Sequence, residues 1–507
     1  MNKPGGSCVL GSDLGTSGCK SIVLDASGNI CGWAQEDYPT LRPHPGWAEQ
    51  RPEDWFEAFR NTAQQAVRQA NVKPEEIVAI CIVGVTHNAV LLDKNDAVLR
   101  ASILYTDIRS QPQSEALLEK WGDEVFQRTY NQLSPVWTWP QLQWIKENEP
   151  QVWRQTRRIL FPKDYVRYRV VPSFLTDTID PVGTLLYDPL ENQWIDTFCA
   201  DLGLPLEAWP EPVDPWLIVG TVGRQIAGEI GLSPNTPVIV GTTDTAAEVF
   251  GTGSLRPGQT TVKLATVGRI ATVSKDPVPD PSFLNYPHVL NGLWYPGTST
   301  KFAASAFSWA REAFWDEDDR KHDYRLMDQA AAGVSPGADG MIFLPYLAGE
   351  FAPSWDPYLR AGFLGVGVQH HRPHFTRAVL EGVGFAIRDA LEGILATGHK
   401  VDEIRLIGGG AASDLWAQIM TDILQHELLV PEGADAAFGA ALMAGVAATL
   451  FEAKPESIGD LVRIRNRFSP DAARSRLYDD LFTIYREAAK SISEISHQLH
   501  YFQQNQY

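Results

Sequence analysis

The spacing of apolar and polar positions changes along the chain, and the changes mark the elements. Cys8-Val9-Leu10 runs into Gly11-Ser12-Asp13-Leu14-Gly15-Thr16-Ser17-Gly18, and Ser21-Ile22-Val23-Leu24-Asp25 follows. Two short apolar runs around a small-residue turn predict a β-hairpin. Pro52 then opens a stretch in which Trp55, Phe59, Ala63 and Val67 recur every four positions, which predicts an amphipathic helix over 53–70. Ile77 to Val83 is continuously apolar and β-branched, the pattern of a strand buried on both faces. Pro237-Val238-Ile239-Val240-Gly241 leads into Thr242-Thr243-Asp244-Thr245-Ala246-Ala247-Glu248, a strand-to-helix unit. The pattern loosens at 251–259. A second hairpin follows, with Thr260–Gly268 as one strand and Arg269–Val273 as the other. Ile404–Ile407 then runs into Gly408-Gly409-Gly410-Ala411-Ala412-Ser413 and a helix of about 13 residues. The uncharged run Ala436–Phe451 is shorter than the roughly 20 residues of a membrane span and reads as a buried helix.

Alternating strands and helices predict an α/β fold. The 507 residues exceed one ordinary core, and each half opens with strand, small-residue turn, strand. Two related domains, 1–253 and 254–507, are expected around a cleft, a favoured place for a ligand. Net charge is −19, which disfavours general nucleic-acid or membrane-surface binding. The five cysteines are scattered through the first half without a C-x-x-C pair, and residues 1–15 lack the features of a signal peptide. A cytoplasmic location is the expectation.

Three segments could carry chemistry. In Asp13-Leu14-Gly15-Thr16-Ser17-Gly18-Cys19-Lys20 the glycines allow backbone N–H groups to approach phosphate oxygens. Thr16 and Ser17 add hydroxyls, Lys20 adds positive charge, and Asp13 could hold a divalent cation. An ordinary hairpin turn explains the same residues equally well. Asp244, where a strand meets a helix, suits a general base, although a simple helix cap is the commoner use of such an Asp. The Gly408–Gly410 turn permits close approach to a nucleotide, or is a structural turn. His87 ends a buried strand, as a strand cap or as a substrate contact. His370, His371 and His374 lack the partners of a metal site, and neither an H-E-x-x-H motif nor a G-x-x-x-x-G-K-[ST] loop is present.

With these segments in view, the chain resembles the FGGY carbohydrate kinase family over nearly its whole length, and most of all the family's xylulokinases. Asp13–Lys20 resembles the first phosphate loop. Pro45-Gly46-Trp47-Ala48-Glu49-Gln50, Pro162-Lys163-Asp164-Tyr165, Gly183-Thr184-Leu185-Leu186-Tyr187-Asp188 and Ala361–Glu381 are similar to family segments. Gly408-Gly409-Gly410-Ala411 with Leu415-Trp416 looks like the adenosine-binding turn. The resemblance implies two actin-like, ribonuclease H-like domains flanking a central cleft, with ATP and Mg²⁺ as cofactors and a sugar as acceptor. It implies that Asp13 positions the metal and that Gly15, Thr16, Ser17 and Lys20 meet phosphate. Thr266 and Gly268 would form a second phosphate loop. Gly409, Gly410 and Ala411 would lie along the nucleotide, with Gly297 near its base or ribose. Asp244 would be the catalytic base, and Thr86, His87, Tyr105, Asp107 and Thr245 would meet the sugar.

The chain also departs from the family pattern. Xylulokinases usually carry Gly-Gln-Met-His-Gly where this sequence has Gly84-Val85-Thr86-His87-Asn88, and Trp-Asn-Asp-x-Arg where it has Tyr105-Thr106-Asp107-Ile108-Arg109. Thr245 replaces a common Asn. Ala265-Thr266-Val267-Gly268 stands for Gly-Thr-Ser-Gly, and Gln141 for a signature Lys. The reaction implied is ATP-dependent phosphorylation of a ketopentose, D-xylulose to D-xylulose 5-phosphate being the best match. D-ribulose or a related keto-sugar or polyol is the alternative acceptor. An actin-like ATP-binding scaffold is the alternative of another class. A homodimer is suggested by the resemblance alone.

Overall fold

The computed structural model describes residues 6–315, 324–351 and 354–504. They form two compact units. The first runs to Leu255 and includes Asn285–Trp294 and Gly433–Val462; the second comprises Arg256–Leu284, Tyr295–Glu432 and the chain from Arg463.

The first unit is built on a six-stranded sheet of β1 (Cys8–Leu14), β2 (Gly18–Asp25), β3 (Ile30–Asp37), β4 (Ile77–Gly84), β5 (Ile218–Thr221) and β6 (Pro237–Ile239), in the order β5-β6-β4-β1-β2-β3. β1, β2 and β3 pair antiparallel, whereas β4 runs parallel to β1, and β6 parallel to β4. The Pro52–Ala70 helix covers β2 and β3 with the predicted face, and Trp55, Phe59, Ala63 and Val67 are all buried. Pro52 sits at its start, where the missing N–H costs nothing, and Asn71 in the left-handed region (φ 52°) stops it. The Ala436–Ala447 helix packs on β1. It is shorter than the uncharged run that predicted it, because Thr449 turns into the left-handed region (φ 56°).

The second unit repeats the plan with β7 (Gln259–Leu264), β8 (Gly268–Thr272), β9 (Gly297–Thr300), β10 (Glu403–Ile407), β11 (Leu428–Pro431) and β12 (Ile464–Phe468), in the order β9-β8-β7-β10-β11-β12. Again the first three strands pair antiparallel and the next two join parallel. The second hairpin turns at Ala265–Val267, so Gly268 opens its second strand rather than closing its first. The helix after the Gly408 turn spans the 11 residues Asp414–Leu424, ended by Gln425 at φ 57°. Each unit is thus α/β with the ribonuclease H-like strand arrangement.

Candidate active site

In the first unit, topology brings three of the singled-out segments to one end of the sheet. β1, β4 and β6 run the same way. At their carboxyl ends stand the Asp13–Gly18 turn, the Thr86–His87 corner and the Thr242–Asp244 corner. The carboxyl ends of parallel strands are where open α/β sheets bind ligands, since loops diverge there and the next helix presents its N-terminus.

The Asp244 corner separates capping from chemistry. Thr243, not Asp244, is the N-cap of the Asp244–Gly251 helix, accepting a hydrogen bond from the Ala246 N–H at 3.1 Å. Asp244 is the first helical residue and is half-buried. Its Oδ1 accepts from the Thr245 N–H (2.6 Å) and the Thr245 hydroxyl (3.2 Å). Those bonds and the positive end of the helix favour a carboxylate. Asp13 belongs to the same electrostatic neighbourhood. Burial first, then the nearby Cys19, Asp13 and Asp244, push the Tyr38 hydroxyl well above its ordinary range. That hydroxyl donates to the Gly15 carbonyl and so braces the turn. Gly15 closes the turn onto the Gly18 carbonyl at 2.9 Å, Thr16 and Ser17 are exposed, and the Thr16 hydroxyl meets that of Tyr105 at 3.2 Å.

At the second corner, His87 takes a left-handed backbone (φ 50°) and is buried. Its N–H donates to Asp180 Oδ1 at 2.6 Å, and the Thr86 hydroxyl reaches the same oxygen at 3.2 Å. Nδ1 lies 3.2 Å from the Thr138 hydroxyl. Burial pushes the imidazole down to about 3, so it is neutral in any ordinary buffer. Asp180 belongs to a cluster with no exposed side chain, in which Lys163 Nζ lies 2.7 Å from Asp164, 2.9 Å from Asp177 and 3.7 Å from Asp180. Arg167 joins it through Asp164 at 3.2 Å. Asp107 is fully buried and its two oxygens are engaged within the protein. Oδ1 accepts from the Arg109 N–H and Nε, and Oδ2 from Arg109 Nη2 (2.7 Å) and the Ala48 N–H (2.6 Å). Arg109 also stacks over Trp47, 3.6 Å from the ring centre. Lys20 is paired with Asp435 at 2.5 Å, and Asp435 caps the Ala436–Ala447 helix.

The second unit gathers its turns in the same manner. β7 and β10 are parallel, so the Ala265–Val267 turn and the Gly408–Ala411 turn lie at one end of its sheet. The Ala303 and Ala304 N–H groups and the Ser305 hydroxyl donate to the carbonyls of Thr266 and Ala265. Thr266 is exposed, and Gly268 is buried at the start of β8. Gly408 needs to be glycine: its φ is 89°, and a Cβ would lie 2.5 Å from the Leu264 carbonyl oxygen. Gly409 borders open space, whereas Gly410 and Ala411 are buried. Gly297 is buried at the start of β9, the edge strand of the sheet, paired with Ala271 in β8. His370 is buried and accepts from the Gly367 N–H, and His374 pairs with Asp339.

Sequence reasoning had not singled out Tyr38, Thr138, Asp177, Asp180 and Thr242 for the site. Only Lys163-Asp164 carried a visible signal, adjacent charges that follow the apolar Ile159-Leu160-Phe161.

Residues 8–251 match the sequence model of the FGGY family of carbohydrate kinases, N-terminal domain, and residues 258–448 that of its C-terminal domain. The chain belongs to the FGGY family of carbohydrate kinases. It is therefore a sugar kinase, an enzyme that uses ATP as a substrate. The kinase is 31% identical over 502 residues to a xylulose kinase of Bacillus subtilis, covering 98% of this chain and 99% of that one. It is 33% identical over 473 residues to a xylulose kinase of Escherichia coli, covering 92% and 96%. The solved structure of a "xyloylose kinase" from Brucella ovis superposes with a TM-score of 0.87 at 31% identity, over 96% of this chain and 100% of that one. Among the kinase's described residues, no helix is long and apolar enough to cross a membrane.

Proposed function

We propose that this kinase transfers the terminal phosphoryl group of ATP to a ketopentose, converting D-xylulose to D-xylulose 5-phosphate, with Asp244 as general base. The observation that carries the reading is the release of Asp244 from capping: Thr243 caps the helix, leaving a carboxylate at the strand end beside the Thr86–His87 corner. The relatives named xylulose kinase, matched over nearly their whole length, favour xylulose among acceptors.

In this reading Asp244 Oδ2 takes the proton of the attacking hydroxyl, while Thr245 holds Oδ1 in place. Neutral His87, with Nδ1 turned to Thr138, offers the sugar a hydrogen bond that does not vary with pH. Thr86 and Tyr105 border the same acceptor. Asp107 acts through Arg109 and the Ala48 backbone, shaping the wall. Gly15, Thr16 and Ser17 meet phosphate in the first unit, with Lys20 supplying background charge from its pairing with Asp435. Thr266 and Gly268 meet phosphate in the second unit, where Gly409, Gly410 and Ala411 follow the nucleotide and Gly297 supports that side from the edge strand β9. Phosphoryl transfer has a loose transition state, so placing these groups is most of the catalysis.

Asp13 and Asp244 are hard oxygen donors, and their number suits Mg²⁺, which keeps most of its waters and takes one or two carboxylates. Asp13 would hold the ion, which would neutralise phosphate charge. A panel of pentuloses, hexuloses and polyols with ATP, read by ADP release, tests the proposal. D-xylulose should lead in kcat/KM by about 10-fold or more, because a pocket that pairs each hydroxyl rejects epimers. Clear turnover of another acceptor with none on any pentulose overturns it; D-ribulose ahead of D-xylulose moves the substrate within the class.

A further inference from the structure

The buried charges around Lys163 tie together the two corners that carry the proposed base and the proposed sugar contact. Lys163 Nζ is 2.9 Å from Asp177 Oδ1, and the other oxygen of Asp177 accepts from the Thr242 hydroxyl at 2.8 Å. Thr242 stands two residues before Asp244. On the other side, Lys163 Nζ is 3.7 Å from Asp180 Oδ2, and Asp180 Oδ1 accepts from the His87 N–H and the Thr86 hydroxyl. The side chains of Lys163, Asp164, Arg167, Asp177 and Asp180 are all 0% exposed.

Such a cluster is a poor way to gain stability, since desolvating each ion offsets most of its attraction and apolar side chains of the same size often serve as well. What buried, paired charges do supply is a fixed arrangement, because any displacement leaves an ion uncompensated. The backbone agrees. Gly241 has φ 77°, and a Cβ there would lie 2.1 Å from the Ile82 carbonyl oxygen. The base corner is therefore wedged against β4, and Thr243 bridges to Gly84 on the same strand.

We propose that Lys163 is a positioning residue whose ammonium, through Asp177 and Asp180, holds the Thr242–Asp244 corner and the Thr86–His87 corner at one fixed spacing. The proposal rests on Asp244 being the base. Two opposed effects keep the ammonium charged: burial pulls Lys163 down, and its three aspartates more than offset this and leave it above its usual range. Burial holds Asp180 well above the ordinary carboxylate range, against the pull of Lys163.

The test is steady-state kinetics with separate kcat and KM, alongside thermal melting, on the full chain. Lys163→Met removes the hub, and Thr242→Val cuts only the link to the base corner while keeping the side chain's shape. Thr242→Val should lower kcat about 10-fold, as expected for a sub-ångström displacement of a reacting group, with KM for ATP within about twofold of wild type. Thr242→Ser keeps the hydroxyl and should restore kcat. Lys163→Met should lower kcat at least as far; if it does not fold, Thr242 decides alone. Wild-type kcat in Thr242→Val, or equal loss in Thr242→Ser, overturns the positioning role. Asp244→Ala, assayed beside them, should fall about 10²–10⁴-fold. Near-normal turnover there overturns the base and this proposal with it, whereas an impaired Asp244→Ala beside an unimpaired Thr242→Val removes the positioning role only.

Discussion

Glu350 in the second unit is 4% exposed and accepts from the Thr300 hydroxyl (2.6 Å) and from the N–H groups of Lys301 (2.6 Å) and Phe351 (2.7 Å). Three donors favour the carboxylate, but burial outweighs them and pushes its pKa up to about 7. In the unfolded chain the group returns to its ordinary value of 4.5. Between those values the folded protein binds more protons than the unfolded one, so stability falls as pH rises. The contribution is complete below about pH 4.5 and is lost by about pH 7, on the order of 3 kcal/mol at most. Glu350→Gln should therefore melt with a shallower pH slope than wild type between about pH 5 and 7.5, a few degrees separating the two curves at the alkaline end. Parallel curves would show that this carboxyl titrates normally. Nothing in the sequence marks Glu350, because its pKa depends on being enclosed by residues up to 50 positions away. Asp244 was legible as a residue between two uses. The choice between them depended on whether Thr243 or Asp244 would take the capping geometry, and composition does not set that.

At the scale of elements, the sequence was most informative where one period ran uninterrupted. The Pro52–Ala70 helix and β4 followed directly from spacing and β-branching, since each depends on residues within one turn or one strand. Their ends were less legible: Thr449 and Gln425 stop helices by entering left-handed backbone, which neither residue type announces. The Ala436–Ala447 helix was recognisable as buried, but its small residues had a further cause. A Cβ on Gly439 would lie 1.9 Å from the Ala247 carbonyl oxygen, so this helix meets the Asp244–Gly251 helix backbone to backbone. Gly439→Val should cost about 2–3 kcal/mol through overpacking, read as a lower melting temperature. Because the partner helix begins at Asp244, kcat should fall with it. An unchanged melting temperature would mean that the two helices can separate freely.

At the scale of the molecule, the chain passes between its two units at 255/256, 284/285, 294/295, 432/433 and 462/463. Hydrophobic periodicity describes a segment's own faces, not which distant segment will cover them, so these returns are invisible in a linear reading. They have a consequence for folding. The segment that places a helix on β1, β4 and the Asp244–Gly251 helix comes from residues 433–462, about 350 positions beyond β4, more than 400 beyond β1 and about 185 beyond that helix. A fragment ending at Leu255 would leave that face of β1 in water, together with Ala247 and Gly251, which meet Gly439 and are buried in the whole chain. Apolar surface on that scale is costly, at about 25 cal/mol per Å², against a total stability of only some 5–15 kcal/mol for a typical domain. Residues 1–255 expressed alone should therefore bind a hydrophobic dye and melt without a cooperative transition. Fusing residues 433–462 to that fragment through a flexible linker should restore a sharp melt, since loop closure grows only slowly with length. A sharp transition in the unfused fragment would show that the first sheet carries its own core, and that the returning helix serves to place Asp244 rather than to complete the fold.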